Sequence, residues 1–171
     1  MREKYLTTSP DQTKKLGEIL AKEISKTKPK KRAFVIGLEG DLGGGKTVFL
    51  QGFAKGLGIR QKILSPTFII MRKFQITNYK LQTNGAQTKF GRVAGGLESK
   101  FQTFSHIDCY RISKPKEVLD LGFKEIISNP KNIVAIEWSD RIRKIIPEDS
   151  LIIKFELANK NKRKISLKHG S

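Results

Sequence analysis

The residues with the most definite chemistry are Gly40 to Thr47, GDLGGGKT, which match the phosphate-loop pattern G-x-x-x-x-G-K-S/T at every fixed position. Three successive glycines, Gly43, Gly44 and Gly45, allow backbone amides to converge on one concavity with no side chain in the way. A helix starting near Lys46 adds the positive end of its dipole. Such a nest suits a polyphosphate, with Asp41 to Thr47 (Asp41, Leu42, Gly43, Gly44, Gly45, Lys46, Thr47) as its wall. In that geometry the Lys46 ammonium reaches the terminal phosphates and the Thr47 hydroxyl coordinates magnesium.

Magnesium-assisted phosphate chemistry also needs acids, and the chain offers two at the ends of apolar runs. Residues 133–138, IVAIEW, read as a buried strand that delivers Glu137 beside the loop's metal, where it either holds a metal-bound water or orients the attacking one. Residues 101–108 end in His106-Ile107-Asp108; with Ile107 facing the core, His106 and Asp108 share the other face of the strand. Asp108 is thus a second candidate for the metal or its water, and which acid is the main ligand stays open. Lys46, Asp108 and Glu137 are the candidate catalytic residues, and Thr47, Glu137 and Asp108 the candidate metal ligands. Thr67, in SPTF, is placed to cover a terminal phosphate as a switch threonine, although Ser-Pro also suits an ordinary turn. Ser9 is offered as a neighbour of the nucleotide base.

These residues need a scaffold. The apolar run 33–38 reads as the strand before the loop, and Val48, Phe49, Leu50, Phe53, Ala54 and Leu57 as a buried helix after it, stopped by Gly56 and Gly58. Upstream, Ser9-Pro10-Asp11-Gln12 has the form of a helix start with Gln12 completing a capping box, and Leu16, Ile19, Leu20 and Ile24 give a helix from Pro10 to about Ser25 one apolar stripe. Short helices are expected at 116–121, 123–127 and 141–145. Alternating patterns at 150–157 and 164–168 around the turn 158–162 predict a closing antiparallel hairpin. Residues 77–100 are rich in Gly, Gln, Thr and Asn and predict an extended loop or hairpin insertion. The expected class is α/β: a single P-loop domain over residues 1–171, with a central, mainly parallel sheet flanked by helices.

Composition sets outer bounds. One cysteine, Cys109, rules out an internal disulfide and fits a reducing, cytoplasmic setting. No stretch approaches the roughly 20 apolar residues of a membrane span. The net charge of +18 exceeds what a nucleotide demands, and tRNA contact through a basic surface is one reading; a lysine-covered solvated surface is the other.

Taken in order, GDLGGGKT, SPTF at Ser65–Phe68, HIDCYR at His106–Arg111 and IEWSDR at Ile136–Arg141 resemble the TsaE family of small bacterial ATPases. The likeness covers most of the chain and is more specific than the phosphate loop alone. It implies Mg-dependent hydrolysis of ATP, weak in isolation, in making the N6-threonylcarbamoyl modification of adenosine 37 in tRNAs that read codons beginning with A. The implied partners are TsaB and TsaD-like proteins, the latter the transferase. By motif, Lys46 and Thr47 handle phosphate and magnesium, Thr67 is the switch threonine, Asp108 and Glu137 are the acidic pair, and Trp138 matches the family tryptophan. Two departures stand out: the long 77–100 segment, and Gly44 where alanine is usual. A P-loop small-molecule kinase and a nucleotide-stabilised RNA-binding module are the rival expectations.

Overall fold

The computed structural model describes residues 2–64, 70–76, 81–84, 87–90, 100–159 and 162–170. In chain order they form β1 (Arg2–Thr7), α1 (Pro10–Lys26), β2 (Phe34–Glu39), α2 (Lys46–Gly56), β3 (Met71–Gln75), β4 (Leu81–Asn84), β5 (Gln87–Phe90), β6 (Thr103–Asp108), α3 (Pro115–Leu119), α4 (Phe123–Ser128), β7 (Asn132–Glu137), a 3₁₀ helix (Ser139–Ile145), β8 (Leu151–Asn159) and β9 (Lys162–His169).

Seven strands make one sheet in the order β1-β9-β8-β2-β7-β6-β3. The central strands β8, β2, β7 and β6 are parallel, while β9, β1 and β3 are added antiparallel at the margins. The expected α/β architecture, mainly parallel with a closing antiparallel hairpin, is therefore the observed one. Because the central strands are parallel, their carboxyl ends share one edge, the edge where open α/β sheets bind ligands. Register makes the edge specific: Leu38 lies opposite Glu137, and Glu137 opposite Asp108.

Strand alternation sorts the core into two layers. Ile36, Leu38, Phe104, Ile133 and Ala135 point to the side covered by α1 and α2, where they meet Phe49 and Phe53. Val35, Ile107, Val134 and Ile136 point to the other side, against Phe123, Ile126 and Ile142 of α4 and the 3₁₀ helix. Glu137 continues the Ile133–Ala135 series and Asp108 the Phe104–His106 series, so the strand period carries both acids to the face where α2 begins.

α1 and α2 approach at backbone contact. A Cβ on Gly17 would lie 2.2 Å from the Phe49 carbonyl oxygen, and one on Gly52 would lie 1.9 Å from that of Lys14. α2 ends as its glycines indicate: Gly58 has φ +79°, and the amide of Ile59 donates to the carbonyl of Ala54 at 3.0 Å. The start of α1 differs in detail from a capping box. Ser9 Oγ accepts from the Gln12 amide at 3.2 Å, but Gln12 Oε1 accepts from the Thr8 amide at 2.7 Å, one residue before the cap.

The short expected helices are present, with 115–119 in place of 116–121 and the last a 3₁₀ segment from Ser139. The closing hairpin is tighter than expected, its pairing held to Asn159 opposite Lys162. β1 was not anticipated; it pairs along its whole length with β9. Within the 77–100 segment β4 and β5 pair antiparallel with each other. Among the described residues no helix is long and apolar enough to cross a membrane.

Candidate functional site

The phosphate loop leaves β2 through three glycines with positive φ: Gly40 at +122°, Gly43 at +76° and Gly45 at +100°. Gly40 has no alternative residue, because a Cβ there would sit 2.1 Å from the Phe155 carbonyl oxygen. Gly43 faces open space, with nothing within 4 Å of where its Cβ would be. Gly44 is tighter: its amide donates to the Asp41 carbonyl at 3.1 Å, and an added Cβ would meet that oxygen at 3.0 Å. Gly45 caps α2 with no side-chain hydrogen bond, and the first turn carries no acid. The helix N-terminus is left to an anion.

Lys46, only 5% exposed, folds back over its own loop. Its Nζ donates to the carbonyls of Gly40 at 2.6 Å and Asp41 at 2.9 Å, and lies 4.0 Å from the centre of the Trp138 ring. Burial pushes its pKa below the ordinary lysine range, while Glu137, Asp108, Asp41 and Asp140 pull it back up. Desolvation wins. Trp138 holds φ +58°, the one non-glycine residue with positive φ among those described, and packs between the ammonium and the Tyr110 ring, 5.1 Å away. The Arg141 guanidinium stands 5.7 Å from the Trp138 ring and donates to the Ile112 carbonyl at 3.2 Å. A residue held in this region costs about 1–3 kcal/mol, and such strain gathers at functional sites.

Next to the lysine, Thr47 Oγ1 donates to the Glu137 carboxylate, 2.9 Å from Oε2 and 3.1 Å from Oε1, across ninety residues of chain. Glu137 Oε1 also meets His106 Nε2 at 2.9 Å. Asp108 stands beside Glu137 on the neighbouring strand, its Oδ1 accepting from the Tyr110 amide at 2.9 Å. The fold thus brings Lys46, Thr47, Asp108 and Glu137 together. Thr67 lies outside the described residues. Ser9 is occupied by the cap of α1; that helix touches the loop one turn later, where the Thr13 methyl lies 3.6 Å from a Cβ built on Gly45. Leu42 is exposed at the loop's rim.

Three contacts were not read from the sequence. Arg163 of β9 runs along the loop, its Cδ and Nε 3.5 Å from a Cβ built on Gly45. Thr13, bonded to Thr7 at 2.9 Å, lies against the same glycine. Neither sits in a motif, so no signal marks them. His106 reaches Glu137, and for that the two-residue spacing to Asp108 was the available sign.

The donors fit a hard cation: a hydroxyl and a carboxylate in contact, with a second carboxylate adjacent. Among the described residues no cluster of three or more acid, histidine or cysteine side chains could hold a metal unaided. A separate cleft of about 540 Å³, lined by Glu39, Arg143, Lys154 and Lys168 among others, opens on the other face of the sheet and includes none of these residues.

The model of the family "Threonylcarbamoyl adenosine biosynthesis protein TsaE" matches residues 7–90 and 93–165. The tRNA threonylcarbamoyladenosine biosynthesis protein TsaE of Bacillus subtilis is 31% identical over 163 residues, covering 95% of this chain and 83% of that protein. The protein of the same name from Rickettsia conorii is 30% identical over 164 residues, with 95% and 76% covered. Among solved structures, Bacillus subtilis YdiB superposes with a TM-score of 0.68 at 25% identity, over 100% of this chain and 87% of that one. Motif order, fold and extent of match agree, and the chain belongs to the TsaE family.

Proposed function

We propose that this protein serves tRNA threonylcarbamoyladenosine biosynthesis as a magnesium-dependent ATPase acting on a complex of TsaB and TsaD-like proteins. Family membership supports the pathway, since the relatives carry that pathway in their names. The observation that carries the hydrolytic reading is the direct contact of Thr47 with Glu137 beside a buried Lys46.

The roles follow from the chemistry of each group. The amides of Gly43, Gly45 and Lys46 bind the phosphates at the head of α2, that of Gly44 being held by the Asp41 carbonyl. Lys46 exchanges the Gly40 and Asp41 carbonyls for phosphate oxygens, a trade that gives a desolvated ammonium a charged partner. Thr47 and Glu137 would hold the magnesium ion, whose contribution is to neutralise charge on the transferred phosphoryl group. Asp108, or Glu137 through its free lone pairs, orients the water that displaces ADP and takes its proton. Thr67 covers the terminal phosphate. Positioning and charge neutralisation supply most of the acceleration, so activity is low until partners order these groups. Contact with tRNA through the lysine-rich surface is a further part of the proposal.

Free phosphate released from labelled ATP, with and without TsaB and TsaD-like proteins, tests the reading. Hydrolysis that needs magnesium, rises with the partners and disappears in Lys46→Ala is expected. Label passing to an acceptor would make the protein a kinase, and salt-sensitive tRNA binding with no phosphate release even with partners would make it a binding module.

A further inference from the structure

His106 is a fully buried imidazole on a central strand. On the α2 side of β6 and β7 its ladder neighbours toward the strand starts, Phe104, Ile133 and Ala135, are all apolar and buried; Asp108 and Glu137 follow it toward the strand ends, and Arg72 of β3 pairs opposite it. In that setting a leucine or phenylalanine would satisfy the fold at lower cost than a ring with two nitrogens to satisfy. Only one of the two is satisfied. Nε2 meets Glu137 Oε1 at 2.9 Å, whereas Nδ1 makes no hydrogen bond, and neither does Ser105 Oγ of the preceding residue. A carboxylate only accepts, so Nε2 is the donor in that contact. All the polar chemistry of this side chain is spent on one oxygen of one acid.

That oxygen matters because the Glu137 carboxylate is divided between His106 of β6 and Thr47 of α2. With Oε1 fixed by His106, the carboxylate cannot rotate freely, and Oε2 is turned to Thr47 Oγ1 at 2.9 Å. We propose that His106 is a positioning residue: it holds the Glu137 carboxylate in the orientation that, together with Thr47, receives magnesium. This rests on the magnesium–nucleotide reading above and adds to it a residue that touches neither nucleotide nor metal.

The test uses the full chain and three variants. His106→Leu removes the bond and fills the space; His106→Gln places an amide nitrogen near the Nε2 position; His106→Asn places one too short to reach Glu137. The readouts are thermal unfolding, the dissociation constant of a fluorescent ATP analogue in EDTA and in magnesium, and phosphate release. Expected for Leu is an unfolding temperature at or above wild type, unchanged affinity in EDTA, and a magnesium-dependent gain in affinity reduced by about 10-fold or more, the usual effect of losing a group that orients a metal ligand. Gln restores most of that gain and Asn does not. The proposal is overturned if Leu keeps the gain, if Gln and Asn behave alike, or if affinity falls equally in EDTA, which would mean that His106 merely supports the loop. Should Leu fail to fold, the Gln and Asn pair decides. A wild-type protein with no magnesium-linked nucleotide binding would sink the functional reading and this inference with it. Intact wild-type behaviour with indifferent variants sinks this inference alone.

Discussion

Gly52→Ala sets two physical effects against each other. Helix propensity favours the change: alanine in a helix interior gains about 1 kcal/mol over glycine. Packing opposes it. The new methyl would sit 1.9 Å from the Lys14 carbonyl oxygen, 2.6 Å from its carbon and 2.7 Å from its Cα, all backbone atoms of α1 that cannot rotate aside. Ordinary contact begins at 3.4 Å, so α1 and α2 must part by about 1.5 Å along that line. Gly17 against Phe49 and Gly56 against Glu18 lie in the same crossing, so parting the helices at Gly52 also opens these contacts. Overpacking of this kind costs about 1–3 kcal/mol in cores that can relax, and more where both partners are main chain. Lost contacts around Phe49, Phe53 and Ala21 add to it. After the propensity gain is subtracted, a net loss of about 2 kcal/mol is expected, or roughly 4–8 °C in the unfolding midpoint of a chain this size. Urea and thermal unfolding by circular dichroism measure it. A Gly52→Ala protein as stable as wild type, or more so, would refute the backbone contact between the helices and with it the reason α2 is held where it presents the phosphate loop.

Three further predictions concern single groups. Lys46→Met removes an ammonium that burial disfavours, so stability at neutral pH should be no lower than wild type while nucleotide binding is lost; in wild type the unfolded chain binds the lysine proton more tightly, so this residue's cost fades as pH climbs toward the ordinary lysine range, and a large destabilisation on titrating unfolding in urea would contradict it. Glu137→Gln keeps the volume and a hydrogen bond to Thr47 but loses the charge, so phosphate release should fall by 10²-fold or more, roughly the value of a positioned acid–base group, while binding in EDTA is retained; equal turnover by both proteins would remove Glu137 from the chemistry. The Cys109 thiol is pushed up to about 12, by burial first and by Asp108 second, so iodoacetamide at pH 8 should label it only in denaturant; because the unfolded chain ionises earlier, the thiol also lowers stability as pH rises past the ordinary thiol range, and rapid labelling of the native protein would show the burial to be wrong.

How much of this was legible in the sequence follows from the range of each interaction. The glycine spacing of 40–47 fixes a local backbone problem with few solutions, and the observed positive φ at Gly40, Gly43 and Gly45 is the solution expected. Strand alternation is equally local, which is why His106 and Asp108 could be put on one face of their strand before any strand order was known; that this is the face where α2 begins follows only from the fold. The first strand was not legible. Residues 3–6 lie exposed on an edge, with no apolar stripe to read, and exist as a strand because β9 offers an unpaired partner. Likewise no periodicity in α1 or α2 reveals that Gly17 would meet the Phe49 backbone or Gly52 that of Lys14, since a glycine in a helix advertises no partner.

The sequence by itself determined the phosphate cradle, the two acids and the alternation of strand and helix, because each rests on residues within a few positions of one another. Only the tertiary structure decided that β7 lies between β2 and β6, and so that Thr47, Glu137 and His106 share one carboxylate, that Trp138 backs Lys46, and that Arg163 flanks the loop. Strand order is the reason: which parallel strands become neighbours depends on how the whole core closes, a quantity spread over the chain and carried by no segment of it.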